Sequence, residues 1–317
     1  MISFAKTEDI SAIMDFIDRE WRKGHILARD RKLFEWMYVR DNEVHFVVSK
    51  EDGGINGILG FIAYDENNSQ VDLTMWKAIK VGAGMSMLAF LEEELSPVSI
   101  TSPGINYATT SAIYKYFGYE VGKMQHYYRL ADREEFYIPV INERLLIKMP
   151  VLSSAKIHKL NSFQEFMKAG IVLHKRMIQK DNWYIRHRYF EHPVFEYIHY
   201  LVEGNGKLDV VMREQDVDGH KCIRIVDMLG DFSLLPDFTS GLDNILITGN
   251  YEYADCYMSC ADEGMWENAG WINVEKTRNI IPNYFSPFVR SNVDIYYCCK
   301  PHNRILLRGD GDQDRPN

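Results

Sequence analysis

Apolar positions in the first part of the chain switch between two periods, and each switch marks a change of element. Residues 2–5 read as a short strand. Thr7 then stands as a helix N-cap with Glu8 and Asp9 in the first turn, and Ile10, Ile13, Met14 and Ile17 fall on one helical face. Residues 44–49 and 58–64 predict two strands joined across the Asp52-Gly53-Gly54 hairpin signal. A further strand over 71–76 runs into Lys80-Val81-Gly82-Ala83-Gly84. The helix after it carries Leu88, Leu91 and Leu95 on one side and leaves Glu92, Glu93 and Glu94 to solvent. A strand at 98–101, a helix to about residue 117, and strands around Tyr119 and over 125–130 close this unit.

Residues 131–154 read as a connector, and from residue 155 the plan begins again. A strand is expected over 156–160, a helix over 163–169, and strands over 195–202, 208–213, 222–228 and 244–248. Asn268-Ala269-Gly270-Trp271 echoes the Gly118-Tyr119 pair of the first unit, but Gly230-Asp231-Phe232-Ser233 stands where its glycine turn would repeat. The pattern predicts a mixed α/β protein of two units, each a central mixed sheet flanked by helices.

Composition narrows the possible functions. With 317 residues and 46% hydrophobic content, two domains of ordinary size can each build a core. A net charge of −9 argues against non-specific nucleic-acid binding. No apolar run is long enough to span a bilayer, and the acidic start of the chain lacks a signal-peptide core. Five cysteines in no regular framework, with none beside metal-ligand histidines, fit a reducing cytoplasm and predict no metal site.

The glycine turn carries the first chemistry. A strand entering a helix through Gly82-Ala83-Gly84 leaves backbone N–H groups at a helix N-terminus, where the dipole also favours an anion. The amides of Val81, Gly82, Ala83, Gly84 and Met85 form a candidate pyrophosphate cradle. A later helix ends in Tyr114-Lys115-Tyr116-Phe117-Gly118-Tyr119. In element order and in these two motifs, residues 1–130 resemble the GNAT superfamily of N-acyltransferases. That family's turn reads Arg/Gln-x-x-Gly-x-Gly/Ala and its late helix ends Tyr-x-x-x-Gly-Phe. Gly82 and Gly84 fit, Tyr119 replaces the Phe, and Ile79 stands where Arg or Gln is usual. Residues 155–317 then read as a divergent GNAT-like domain without the coenzyme turn, shaping the acceptor site. The stretch from Trp21 to Asp30 is similar to a segment of GNAT-like proteins associated with bacterial surface-polysaccharide synthesis.

The resemblance implies transfer of an acyl group from acetyl-CoA, or another acyl-CoA, to a small amine by direct attack on the thioester. A nucleotide-linked amino sugar is the acceptor it favours. It implies that backbone near Leu73 and Met75 polarises the thioester carbonyl and that Tyr114 protonates the departing thiolate. His25, with a pKa near the working pH, and Asp72, on the central strand, are the candidate bases. In the second unit, Arg188, His192, Arg224, Asp227, Glu252 and Asp255 form a polar set for the acceptor. Arg224 and Asp227 either pair with each other or line that pocket. Trp183, Tyr184, Tyr284 and Phe285 either stack on a sugar or base or belong to the core. The Asp-rich tail after Arg308 resembles half a calcium loop but lacks the remaining ligands, so a disordered end is expected, the alternative being a tail folded over the acceptor site. Two other functions share these features: an aminoacyl-tRNA-dependent transferase, and a catalytically degenerate GNAT pair acting as a binding or scaffold module.

Overall fold

The computed structural model describes residues 1–147, 154–260 and 262–316, so residues 148–153 of the expected connector lie outside the described residues. In chain order the first part comprises β1 (Ile2–Ala5), α1 (Ile10–Phe16), α2 (Ile26–Arg29), α3 (Arg31–Tyr38), β2 (Glu43–Glu51), β3 (Gly54–Ala63) and β4 (Gln70–Ala78). It continues with α4 (Ala83–Leu95), β5 (Ser99–Pro103), α5 (Tyr107–Tyr116), β6 (Glu120–Lys123) and β7 (Gln125–Leu130). The second part holds β8 (Lys156–Leu160), α6 (Phe163–Ala169), α7 (Asn182–Ile185), β9 (Ile198–Glu203), β10 (Lys207–Val217) and β11 (His220–Gly230). After these come α8 (Leu235–Thr248), β12 (Tyr251–Met258), α9 (Glu263–Asn268), β13 (Ile272–Asn273) and β14 (Tyr296–Lys300).

The two sheets have one topology. The first runs β1-β2-β3-β4-β5-β14-β6, with Val39–Arg40 paired to β2 at its side, and the second runs β8-β9-β10-β11-β12-β7-β13. Among the described residues, the only parallel contact in each joins the fourth and fifth strands: β4 with β5, and β11 with β12. The helices match as well. After α5 and after α9 the chain closes through a glycine at φ +82°, Gly118 or Gly270, which bonds back across the last helical turn. The aromatic that follows, Tyr119 or Trp271, returns its N–H to Tyr114 or Trp266.

The sixth place in each sheet is filled from the other half of the chain. β7 follows β6 after a single residue, yet pairs with β12 and β13. β14 pairs with β5 and β6. The expectation that residues 125–130 close the first unit is therefore corrected: alternation makes β7 a strand but does not choose its partner. Residues 244–248 also differ from expectation, forming the end of α8 rather than a strand. Pro236 in the first turn starts that helix, and Phe238, Leu242 and Leu246 lie on its buried face.

The tail is packed rather than disordered. Gly309 donates to Val226 O (2.7 Å), Ser259 donates to Leu306 O (2.9 Å), and Leu307 bridges Met258. Leu306 is buried in the cluster beneath α1 and α3 of the first lobe, whereas Leu307 is buried in the core of the second. Among the described residues no helix is long and apolar enough to cross a membrane.

Leu306→Ala and Leu307→Ala should each cost about 2–5 kcal/mol, the usual range for emptying a leucine site in a packed core. Because the lobes share strands, denaturant unfolding followed by fluorescence and by circular dichroism should give one coincident transition. Two separate transitions would contradict this account.

Candidate active site

Strands β4 and β5 are paired only at Gln70–Ser99, Val71–Ile100 and Asp72–Thr101, and then part. The cause lies in β4. Its register on β3 shifts between Ile58 and Gly60, which face Lys77 and Thr74, and Met75 inside this bulge has φ +40°. Ser102 Oγ donates to Leu73 O (2.7 Å), holding the base of the fork. Beyond it opens a cavity of about 540 Å³. Leu73 to Ala78 form one wall and Ser102 to Asn106 the other, with Glu20, Gly84, Tyr114 and Arg315 also lining it.

Helix α4 begins at the mouth of this cavity. Gly82 is its N-cap at φ +82° with no side-chain cap. Ala83 N–H reaches Lys80 O (3.2 Å), and the N–H groups of Gly84 and Met85 lack an intrahelical acceptor. A β-carbon on Gly84 would lie 3.3 Å from the Trp76 indole nitrogen, so any larger residue requires the indole in the cavity wall to give way. Val81 and Met85 are exposed and Ala83 is buried. The Tyr114 ring is buried edge-on to Trp76 at 5.2 Å. Burial drives its phenol well above the ordinary range, the neighbouring Cys298 of β14 adds to this, and a hydrogen bond with Ser102 partly opposes it. Tyr114 is thus a neutral donor at physiological pH.

A second cavity, also about 540 Å³, lies between the lobes and shares Gly104, Ile105, Gln313 and Arg315 with the first. Arg213, Arg224, Asn283, Tyr284, Phe285 and Arg308 line its far side. The tail forms the partition. Gly311 N–H donates to Tyr64 Oη (2.7 Å), Asp312 pairs with Arg315, and Asp314 binds Arg213 (2.6 Å) and accepts from Tyr197 Oη.

The other candidate residues are placed as follows. His25 is buried outside both cavity walls. Its Nδ1 caps α2 by accepting from Leu27 N–H, and its Nε2 lies 3.3 Å from the Arg315 guanidinium. Burial and Arg315 push its pKa down to about 4. Asp72 is also off both cavity walls, under the fork, accepting from Tyr64 Oη (3.1 Å) and Thr101 Oγ1 (3.0 Å). Arg224 lines the inter-lobe cavity with Asp255 directly behind it. The Arg224–Asp227 pair does not form: Asp227 instead holds Lys180 and accepts from Tyr189 Oη (2.7 Å). Arg188 supports the tail through Asp314 O (2.6 Å), His192 accepts from two backbone N–H groups, and Glu252 accepts from Tyr137 and Ile138 N–H. Tyr284 and Phe285 face the cavity, whereas Trp183 stacks on His187. Glu20, Arg213, Arg308, Gln313 and Arg315 are cavity residues that sequence reasoning passed over. Glu20 sits in the π turn at 17–21 that continues α1, and such turns often mark functional sites.

The equivalent fork of the second lobe is occupied by its own chain. Leu306 to Gly309 lie along Val226 and Met258–Ser259, where β11 and β12 cease to pair. Its turn is also self-capped, since the Asp231 carboxylate accepts from Ser233 N–H (2.9 Å).

No protein-family model and no curated protein sequence matches the chain. Solved structures do. A GCN5-related N-acetyltransferase from Anabaena variabilis superposes with a TM-score of 0.58 at 10% identity, over 94% of this chain and 72% of that one. A conserved protein of unknown function from Enterococcus faecalis, assigned as a probable N-acyltransferase, gives 0.54 at 11% identity over the same shares. At such low identity the likeness establishes the fold: tandem GNAT-like domains.

Burial raises the Asp72 carboxyl well above the usual range, and Asp310 pushes the same way. Asp72 therefore resists ionisation in the folded protein, whereas in the unfolded chain it ionises near pH ~4. Such a group costs stability as pH rises above its unfolded value. Asp72→Asn removes this titration, so its Tm should gain on wild type as pH rises above about 4. A Tm difference that does not vary with pH would refute the assignment.

Proposed function

We propose that the chain is an acyl-CoA-dependent N-acyltransferase whose coenzyme site is in the first lobe and whose acceptor enters between the lobes. The observation that carries this reading is the contrast between two equivalent forks. The first is open, lies beside an uncapped helix and is walled by Tyr114; the second is filled by residues 306–309.

The uncapped first turn of α4 at Gly84 and Met85 suits a pyrophosphate, and the glycines let it approach the backbone. The fork suits an extended pantetheine arm, which would hydrogen-bond to the parted backbones of β4 and β5. There the amine nitrogen attacks the thioester carbonyl, a C–N bond forms, the C–S bond breaks, and the thiolate takes up a proton. Tyr114, neutral and aimed by Trp76 and Ser102, donates a hydrogen bond to the departing sulfur. The acceptor ammonium must first lose a proton. His25 is already neutral but its free nitrogen faces Arg315, and Asp72 resists ionisation and lies off the cavity wall. Glu20, a carboxylate on that wall, is the better placed base. We favour a nucleotide-linked amino sugar of surface-glycan synthesis as acceptor, supported by the aromatic and cationic lining of the inter-lobe cavity. Ile79, exposed where the resembling family carries Arg or Gln, favours the rival reading of a degenerate binding pair.

Calorimetry with acetyl-CoA should show binding of one molecule per chain, and none at about millimolar ligand would sink the proposal. Gly84→Trp should abolish that binding and lower Tm somewhat, since its β-carbon already presses on Trp76, while the far-UV circular dichroism spectrum stays that of the folded chain. Tyr114→Phe should lower kcat by about 10–100-fold with KM for acetyl-CoA little changed, in line with loss of a proton donor.

A further inference from the structure

The inter-lobe cavity has more buried cation than its walls neutralise. Arg213, Arg224, Arg308 and Arg315 line it, with Arg188 behind. Among the described residues their carboxylate partners are only three. Asp255 serves both Arg224 (3.3 Å) and Arg308 (3.0 Å), Asp314 serves both Arg213 and Arg188, and Asp312 serves Arg315. The other acid of the wall, Asp294, is paired with Lys123, and Asp310 shares Lys180 with Asp227 and forms no ion pair with these arginines. His126 also contacts Asp255, but burial pushes its pKa down to about 4, so it is neutral and leaves the balance unchanged.

The surplus is sharpest at Arg224 and Arg308, each only 4% exposed. Where a second carboxylate would balance them stands a neutral amide: Asn283 Oδ1 accepts from Arg224 (2.8 Å) and from Arg308 (2.5 Å). Arg308 Nε is buried with no partner at all. Buried guanidiniums in excess of their counter-ions are costly unless something else supplies the negative charge. Phe285 lies 4.8 Å beneath Arg224 and Phe195 4.0 Å beneath Arg213, fixing both planar groups on aromatic faces beside the cavity.

We infer that Arg224, Arg308 and Asn283 form an oxyanion subsite that binds the phosphate or carboxylate group of the acyl acceptor. This rests on the acyl-transfer reading only for the word acceptor. The anion would lie against Arg308, and the amine would reach the thioester past Gly104, Ile105, Gln313 and Arg315, where the cavities join. Guanidinium forks suit either oxyanion.

The test uses the full chain with saturating coenzyme A, so that the first-lobe cavity is filled, and titrates inorganic pyrophosphate and succinate separately. At least one should bind, and the tighter of the two identifies phosphate or carboxylate as the group recognised. Arg308→Gln should weaken that binding by about tenfold or more. Asn283→Asp keeps shape and every arginine but supplies the missing charge, so it should weaken anion binding by about tenfold while raising Tm by about 2–4 °C. That second variant decides the matter even where Arg308→Gln folds poorly. Absence of binding by either anion up to about 10 mM, or an Asn283→Asp chain that binds like wild type, overturns the subsite. Acetyl-CoA titrations of the same variants without coenzyme A keep the two ideas apart, since absence of coenzyme binding in the wild type counts against acyl transfer and not against the anion site.

Discussion

Backbone hydrogen bonding is the constraint on which the rest of this structure depends. Each sheet has a place between its fifth and last strands that its own half of the chain does not fill. Without β14, strands β5 and β6 would face each other across a gap of unpaired N–H and C=O groups, and without β7 so would β12 and β13. Buried backbone groups left unpaired are expensive, so each lobe is completed by the other. The tail adds a second tie, putting Leu306 in one core and Leu307 in the other.

From this exchange follows the division of labour between two lobes of one topology. The segment after β14 must leave the first sheet close to the fork of the second lobe, and it occupies that fork. The first lobe keeps its fork open. Lys180, buried between Asp227 and Asp310, fixes the turn of the tail. Burial disfavours its charge, but the two carboxylates outweigh that and hold it protonated. Past this point Gly311 meets Tyr64 over Asp72, and Arg315 reaches His25 at the joining of the cavities. A segment that first serves packing thereby becomes the partition of the site.

What was legible in the sequence was local. Strand-turn-helix at residues 71–95 could be read because glycine at positive φ and a leucine stripe are signals carried within a few residues, and Gly118 and Gly270 announced their closures in the same way. The apolar run at 244–248 was too short for its period to separate helix from strand. Partner choice for β7 had no local signal. Nor did the burial of the tail, since Gly and Asp in alternation read as disorder until Arg213, Arg188 and Lys180, more than a hundred residues earlier, are seen around them. For the site, the turn and Tyr114 fall on one cavity as neighbouring motifs would suggest. The arginines of the inter-lobe cavity come from β10, β11 and the tail, and no spacing connects them.

The exchanged strand also sets when the molecule can become itself. Lys123 at the end of β6 and its ion-pair partner Asp294, just before β14, are 171 residues apart. A ribosome adding residues in order releases β5 and β6 long before the strand that belongs between them. During that interval the nascent first lobe carries an incomplete sheet, and Tyr114 lacks its neighbour Cys298. The cleft is therefore completed only after translation of both halves, because Asp312, Gln313 and Arg315, the last of its lining residues, are among the last to be made.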